Sequence, residues 1–133
     1  MTGSRFSIRV KVSFRDIDAL GHVNNAVYFT YMESARAEYW IKLFDCRDIT
    51  QLGFIVAHAE CDYKVAARYA DELEVSIRTS SVGNSSFVWD YEIRKVSTGD
   101  LVAQGKTIQV YYDYARQQKL PVPDDVRAKL LSM

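Results

Sequence analysis

Between Asn25 and Phe44 the chain runs without a Gly or Pro, and its apolar residues recur at helical spacing. On a helical wheel Tyr28, Phe29, Met32, Ala35, Tyr39, Trp40 and Leu43 form one wide apolar face. A narrow polar row, Thr30, Ser34, Glu38 and Lys42, is interrupted by Ala37 and Ile41. A helix apolar around most of its girth has to be buried. About 20 residues at ~1.5 Å each make a rod of roughly 30 Å, the diameter of a small domain, so the rest of the chain must wrap around it. Glu33 and Arg36 break the apolar face three residues apart, the spacing of an ion pair on one helix surface. The alternative is that Glu33 faces a site and orients a water or a substrate.

The flanking segments alternate with period two. Phe6, Ile8, Val10, Val12 and Phe14 alternate with Ser7, Arg9, Lys11, Ser13 and Arg15, which predicts a half-buried strand. The chain turns after Asp48, and Gly53 marks the start of the next extended segment. There Ile55, Ala57, Ala59, Cys61, Tyr63 and Val65 share one parity, and His58, Glu60, Asp62 and Lys64 the other, so His58 reads as a solvated or salt-bridged surface residue. Leu73–Ile77 and Phe87–Ile93 predict two more strands, joined at Gly83-Asn84 where positive φ is tolerated. The last strand pattern, Leu101 to about Tyr114, loses its parity near Gly105, which predicts a bulge there. Pro121 and Pro123 end the sheet, and Asp124 or Asp125 opens a short helix through Leu131. Strand, long helix, then four strands is an α+β order, one antiparallel sheet of about five strands packed on a helix. No repeat or linker divides the 133 residues, so 1–133 reads as one domain.

Lys plus Arg and Asp plus Glu balance at 17 each, which removes the positive field that nucleic acid or an anionic membrane would require. No apolar run approaches the ~20 residues that span a bilayer, and the first residues lack the apolar core of a signal peptide. The expectation is a soluble, cytoplasmic protein. Cys46 and Cys61 have no metal-knuckle or redox spacing and read as reduced, buried thiols.

The chemistry-bearing residues crowd into Asp16-Ile17-Asp18-Ala19-Leu20-Gly21-His22-Val23-Asn24-Asn25, at the mouth of the helix. Asn24 or Asn25 can cap it. The first-turn N–H groups and the positive end of the helix dipole make a ready site for an oxyanion. With the Asp18 carboxylate upstream, this is the layout of an acyl-transfer or hydrolysis site. His22 stands four residues beyond Asp18; it can fix the loop by a hydrogen bond, serve as an acid–base partner, or join Asp16 and Asp18 on a metal. Three ligands from one short segment make a poor metal set, and neither metal nor cofactor is expected.

The D-x-D-x-x-G-H-V-N-N-x-x-Y pattern from Asp16 to Tyr28, with Glu33 and Arg36 beyond it, resembles the hotdog-fold thioesterases of the 4-hydroxybenzoyl-CoA thioesterase type, and the order of segments extends the likeness from Phe6 to Tyr114. The His-Val-Asn-Asn stretch is also similar to that of fatty acyl thioesterases acting on long chains or on acyl carrier protein. The resemblance implies a sheet curled around the central helix, and a homodimer or homotetramer with active sites between subunits. It puts the catalytic carboxylate on Asp18 and the polarising backbone N–H on Asn25. Tyr28 would pack or hydrogen-bond beneath Asp16, and His22 and Glu33 complete the candidate catalytic set. Asn24, Lys64 and Arg68 are the candidate substrate-binding residues.

The reaction so implied is hydrolysis of an acyl thioester, either acyl-CoA or acyl carrier protein, with Asp18 as nucleophile or general base. Relatives that bind coenzyme A often carry cations at the turn between the third and fourth strands; here it reads Ser81-Val82-Gly83-Asn84-Ser85-Ser86. Two alternatives stand beside this reading: an enoyl-thioester hydratase using an Asp18/His22 pair, and a non-catalytic acyl-binding module.

Overall fold

The computed structural model describes residues 5–48 and 52–132. Strand β1 (Phe6–Lys11) leads through a short 3-10 turn (Phe14–Asp16) into helix α1 (Val27–Phe44). Strands β2 (Phe54–Tyr63), β3 (Glu72–Val82), β4 (Ser86–Lys95), β5 (Leu101–Asp113) and β6 (Gln118–Lys119) follow, and helix α2 (Asp124–Leu131) comes last. The strand order is β1-β3-β4-β5-β2, with β6 added to β5, and all the pairings are antiparallel. With α1 packed on this sheet the chain is an α+β hotdog fold, as expected. The turn after Asp48 lies partly outside the described residues.

The period-two and helical patterns meet in one core. Leu73, Val75 and Ile77 of β3 and Phe87, Trp89, Tyr91 and Ile93 of β4 are buried together with Met32, Ala35, Tyr39, Trp40 and Leu43 of α1. Trp40 packs its ring 5.1 Å from that of Phe54, and Tyr39 lies 5.5 Å from Trp89, edge to face. Burial of such side chains stabilises the fold by about 2–3 kcal/mol each. One polar atom sits among them: Thr79 Oγ1 accepts from Trp89 Nε1 at 3.0 Å and shares a hydrogen bond with the Tyr39 hydroxyl at 3.0 Å.

Three expectations do not hold in the structure. Phe14 is 77% exposed, because β1 stops at Lys11 and the alternation ends in the 3-10 turn. There is no bulge at Gly105, which pairs in register with Cys61 and Tyr91. Slips lie elsewhere, in β2 between Val56 and His58 and in β5 at Val102, which β4 skips in pairing with Leu101 and Ala103. From Ala103 onward the parity of β5 is unbroken, with the polar Thr107 and Gln109 fully buried on the core side. Thr107 shares a 2.7 Å hydrogen bond with the Tyr91 hydroxyl and Gln109 Nε2 donates to the Phe87 carbonyl at 3.2 Å, which offsets their burial, while Gln109 Oε1 is left without a partner among the described residues. Gly105 is needed for another reason: a Cβ there would run into Met32 Sδ of α1. Finally, Glu33 and Arg36 form no ion pair among the described residues. Glu33 is exposed, while Arg36 turns inward to the Tyr91 hydroxyl.

Candidate active site

The loop between the 3-10 turn and α1 is fastened at both ends. Ile17 and Val23 bridge across it, His22 bridges to Arg68, and Val23 N–H donates to the Ala67 carbonyl at 2.9 Å. At its tip Gly21 adopts φ +82°, a backbone conformation that favours glycine.

The two aspartates of the loop are used differently. Asp16 Oδ2 accepts from Ser13 N–H at 3.0 Å, Ser13 Oγ at 3.0 Å and the Tyr31 hydroxyl at 2.8 Å. Desolvation pushes the Asp16 carboxyl up, but these three bonds and the nearby Arg15 outweigh it and hold it below the usual carboxylate range. Asp16 is a structural tie between the turn and α1. Asp18 Oδ1 accepts from the backbone N–H of Leu20 at 2.9 Å and, weakly, of His22 at 3.4 Å. Its other oxygen has no partner among the described residues, and the side chain is exposed.

The helix mouth differs from the expected cap. Asn24 Oδ1 accepts from Ala26 N–H at 2.9 Å and the Asn24 carbonyl from Val27 N–H at 2.9 Å, so Asn24 builds a turn ahead of α1. The N-cap position is Ala26, and no side chain caps the helix. With Asn24 bonding past it, the Asn25 N–H has no acceptor among the described residues. The Asn25 carbonyl is held by the Tyr63 hydroxyl at 3.0 Å.

Asp18, His22, Val23, Asn25, Tyr28, Tyr63, Lys64, Val65 and Ala66 line one cavity of about 280 Å³. Five of the sequence-predicted site residues thus come together: Asp18, His22, Asn25, Tyr28 and Lys64. Three do not. Asn24 is committed to its turn, and Arg68 lies outside the cavity with its N–H on Asp71 Oδ2 at 2.9 Å. Glu33 lines a second cavity of about 360 Å³ with Arg36, Ala37, Leu52, Phe54, Ile55, Val56 and Tyr114. The His22 imidazole makes no hydrogen bond to Asp18; the loop-fixing bonds of residue 22 come from its backbone.

The Tyr28 hydroxyl accepts from Ala67 N–H at 3.4 Å, and burial raises it above the ordinary tyrosine value, so it stays protonated at neutral pH. Burial, with Asp62 adding to it, pushes the nearby Cys61 thiol up to about 11, so it is no thiolate nucleophile at neutral pH. Among the described residues no three His, Cys, Asp or Glu side chains gather in a way that holds a metal.

Residues 12–130 match the model of the thioesterase-like superfamily. The chain belongs to that family. It is 30% identical over 133 residues to the acyl-CoA thioesterase YbgC of Haemophilus influenzae, with 96% of each chain covered. It is 36% identical over 90 residues to the uncharacterised protein YsmA of Bacillus subtilis, a match covering 68% of this chain and 61%, less than two thirds, of that one. Among solved structures, a thioesterase of Thermus thermophilus, crystallised with coenzyme A and Zn, superposes with a TM-score of 0.85 at 34% identity, covering 95% of this chain and 91% of that one. A 4-hydroxybenzoyl-CoA thioesterase is also similar, with a TM-score of 0.83 at 20% identity, a distance at which the likeness carries the fold and not the subtype.

Sequence reasoning missed Tyr31 and Tyr63. Tyr31 falls outside the apolar face drawn from the spacing, yet it is buried and its hydroxyl reaches Asp16. Tyr63 follows the parity of core residues but ends the edge strand β2, with its ring 5.3 Å from that of Tyr28. A signal for Tyr63 was available in its place directly before Lys64, already a candidate.

Proposed function

We propose that this thioesterase-family protein hydrolyses acyl-CoA, with the first cavity as its reaction centre. One observation carries the reading: an Asp18 oxygen without a partner and an Asn25 N–H without an acceptor, among the described residues, lie in the same cavity at the start of α1. The thioester carbonyl would accept from the Asn25 N–H. That bond strengthens as the carbonyl becomes an oxyanion and is worth about 3 kcal/mol if it resembles other such donors. Asp18, its other oxygen fixed by Leu20, would attack the carbonyl or take a proton from water. Tyr63 holds the Asn25 carbonyl, on the peptide that follows this donor, and Lys64 offers a cation at the rim. The hydratase reading is less favoured, since it needs an Asp18–His22 side-chain bond that is not formed.

The same reading extends to a homodimer. Strand β2 is a sheet edge with Ile55 and Tyr63 exposed, and each end borders a different cavity: Phe54, Ile55 and Val56 the second, Tyr63 the first. Antiparallel twofold pairing of β2 with a second copy would set the second cavity of one protomer against the first cavity of its partner. The apolar walls of the second cavity would then take the acyl group.

The test is thiol release from a panel of aliphatic and aromatic acyl-CoAs, with acyl carrier protein thioesters alongside. Turnover of at least one acyl-CoA, lost in Asp18→Asn, sustains the reading; turnover confined to acyl carrier protein moves the substrate to the alternative carrier. Wild type that binds acyl-CoA without releasing thiol makes the protein an acyl-binding module. For the dimer, Asp18→Asn and Val56→Arg protomers are inactive alone. Exchanged at equal amounts they should recover about a quarter of wild-type activity, since half the dimers carry one intact site of two. No recovery after subunit exchange would place both cavities' functions within one protomer.

A further inference from the structure

Outside both cavities, a third one of about 320 Å³ is lined by Lys11, Val12, Ser13, Phe14 and Tyr69. Phe14 and Tyr69 come from different loops and meet edge to face, ring centroids 6.2 Å apart, with 77% and 58% of their surface in solvent. Single exposed apolar side chains are ordinary. Here two rings touch in the open, among cations.

Lys11 lines the cavity, Arg15 follows Phe14, and Arg68 precedes Tyr69; all three are exposed or half-buried and none forms an ion pair among the described residues. The nearest acids are engaged elsewhere. Glu72, opposite Lys11 in the sheet, pairs with Arg9 at 3.1 Å, and Asp71 Oδ2 takes Arg68 N–H and Lys95 Nζ. An aromatic seat with three cations outside any ion pair among the described residues, Arg15 also standing near the Asp16 carboxylate, matches a ligand that is both planar and anionic. The third cavity is also next to the first one. Ala66 lines the first and Tyr69 the third, three residues apart, so the backbone between them spans at most about 11 Å. An extended pantetheine arm is longer than that.

We propose that this third cavity seats the adenine nucleotide end of coenzyme A. The base lies against Phe14 and Tyr69, the phosphates are met by Lys11, Arg15 and Arg68, and the pantetheine arm crosses the 66–69 segment to bring the thioester to Asp18. This rests on the acyl-CoA reading above and names the part of the molecule that selects the carrier. The β3–β4 turn carries no cation of its own, and the Arg127 guanidinium that reaches it is spent on the Val82 and Gly83 carbonyls, so the phosphate contacts are placed on the loops beside the reaction centre. An acyl carrier protein would need a broad basic face; the seat here is concave and of the size of one base.

The experiment compares kcat/KM for one acyl group on coenzyme A and on pantetheine, in wild type, in Phe14→Ala/Tyr69→Ala and in Lys11→Gln/Arg15→Gln. The wild type should prefer the coenzyme A ester, and in both double variants the ratio should fall at least tenfold, through KM. Equal loss on the two esters, or an unchanged ratio, overturns the proposal. Calorimetry with adenosine 3′,5′-bisphosphate decides it without turnover: wild type binds, and both variants bind at least tenfold more weakly. If wild type releases no thiol from any ester, the thioesterase reading falls, while nucleotide binding still stands or falls by the calorimetry. Thermal melts of both variants confirm folding, and the charge variant leaves the rings in place.

Discussion

The two cavities that border β2 share α1 as a wall, yet they differ in what α1 gives them. The first lies at the start of the helix, where backbone N–H groups lack an acceptor one turn back and Asn25 is left with a donor to spare. The second lies along the middle, against Glu33, Arg36 and Ala37, where the helix consumes its own N–H groups. A carboxylate in each cavity therefore has different company. Asp18 shares its cavity with a fixed backbone donor; Glu33 shares its cavity with Arg36 and apolar walls, where the helix has no backbone N–H to spare.

The largest effect expected from this contrast is in a pair of isosteric changes. Asp18→Asn keeps an oxygen for the Leu20 N–H and so keeps the loop, but should lower thiol release a hundredfold or more, about 3 kcal/mol. Glu33→Gln should change kcat less than twofold; a loss near that of Asp18→Asn would break the distinction between the cavities. Next in size is Gly105→Ala, which drives a methyl group into Met32 and pushes α1 away from the sheet. Chemical denaturation should show a loss of about 1–3 kcal/mol.

Smaller effects sharpen the picture of the helix mouth. Tyr63→Phe frees the Asn25 carbonyl, on the peptide that follows the donor, and loosens the residue that carries it. A fall of about five-fold in kcat with KM little changed is expected, equivalent to roughly 1 kcal/mol. Tyr31→Phe removes a donor from Asp16 and should cost about 1 kcal/mol of stability at pH 7. The folded Asp16 value lies below 3.8, so its contribution is complete above pH 3.8 and is lost as the pH falls through the folded value. The gap in melting temperature between wild type and Tyr31→Phe should accordingly close in strong acid, and a gap that widens there would contradict the assignment.

The fold was legible because its periods are clean: the Gly- and Pro-free run became α1, and the alternation of β3 and β4 became the buried face of the sheet. Asp18, Asn25 and Tyr28 could be brought to one place because they sit close in sequence around one helix start. What period alone could not reveal were positions where polarity and burial part company. Thr107 and Gln109 look like solvent positions and are core: Tyr91 pairs with Thr107 and the Phe87 carbonyl takes the Gln109 amide N–H, while Gln109 Oε1 has no partner among the described residues. The expected bulge fell at the wrong residue because the buried polar Thr107 and Gln109 mimic a slip at Gly105, whereas β5 slips at Val102. Glu33 and Arg36 have pair spacing, but spacing does not say that Arg36 has a better partner across the core.

Thr79 carries a further consequence, for how the chain finds its fold. Its single hydroxyl oxygen satisfies an indole N–H from the adjacent strand and meets a phenol from the helix, both deep in the interior. Slide β3 by one residue against β4 and Thr79 turns to the opposite face, stranding Trp89 and Tyr39 without that oxygen. Each abandoned group costs about 1–3 kcal/mol. Misaligned pairings are thereby penalised, and a small threonine acts as a check on the register of the sheet.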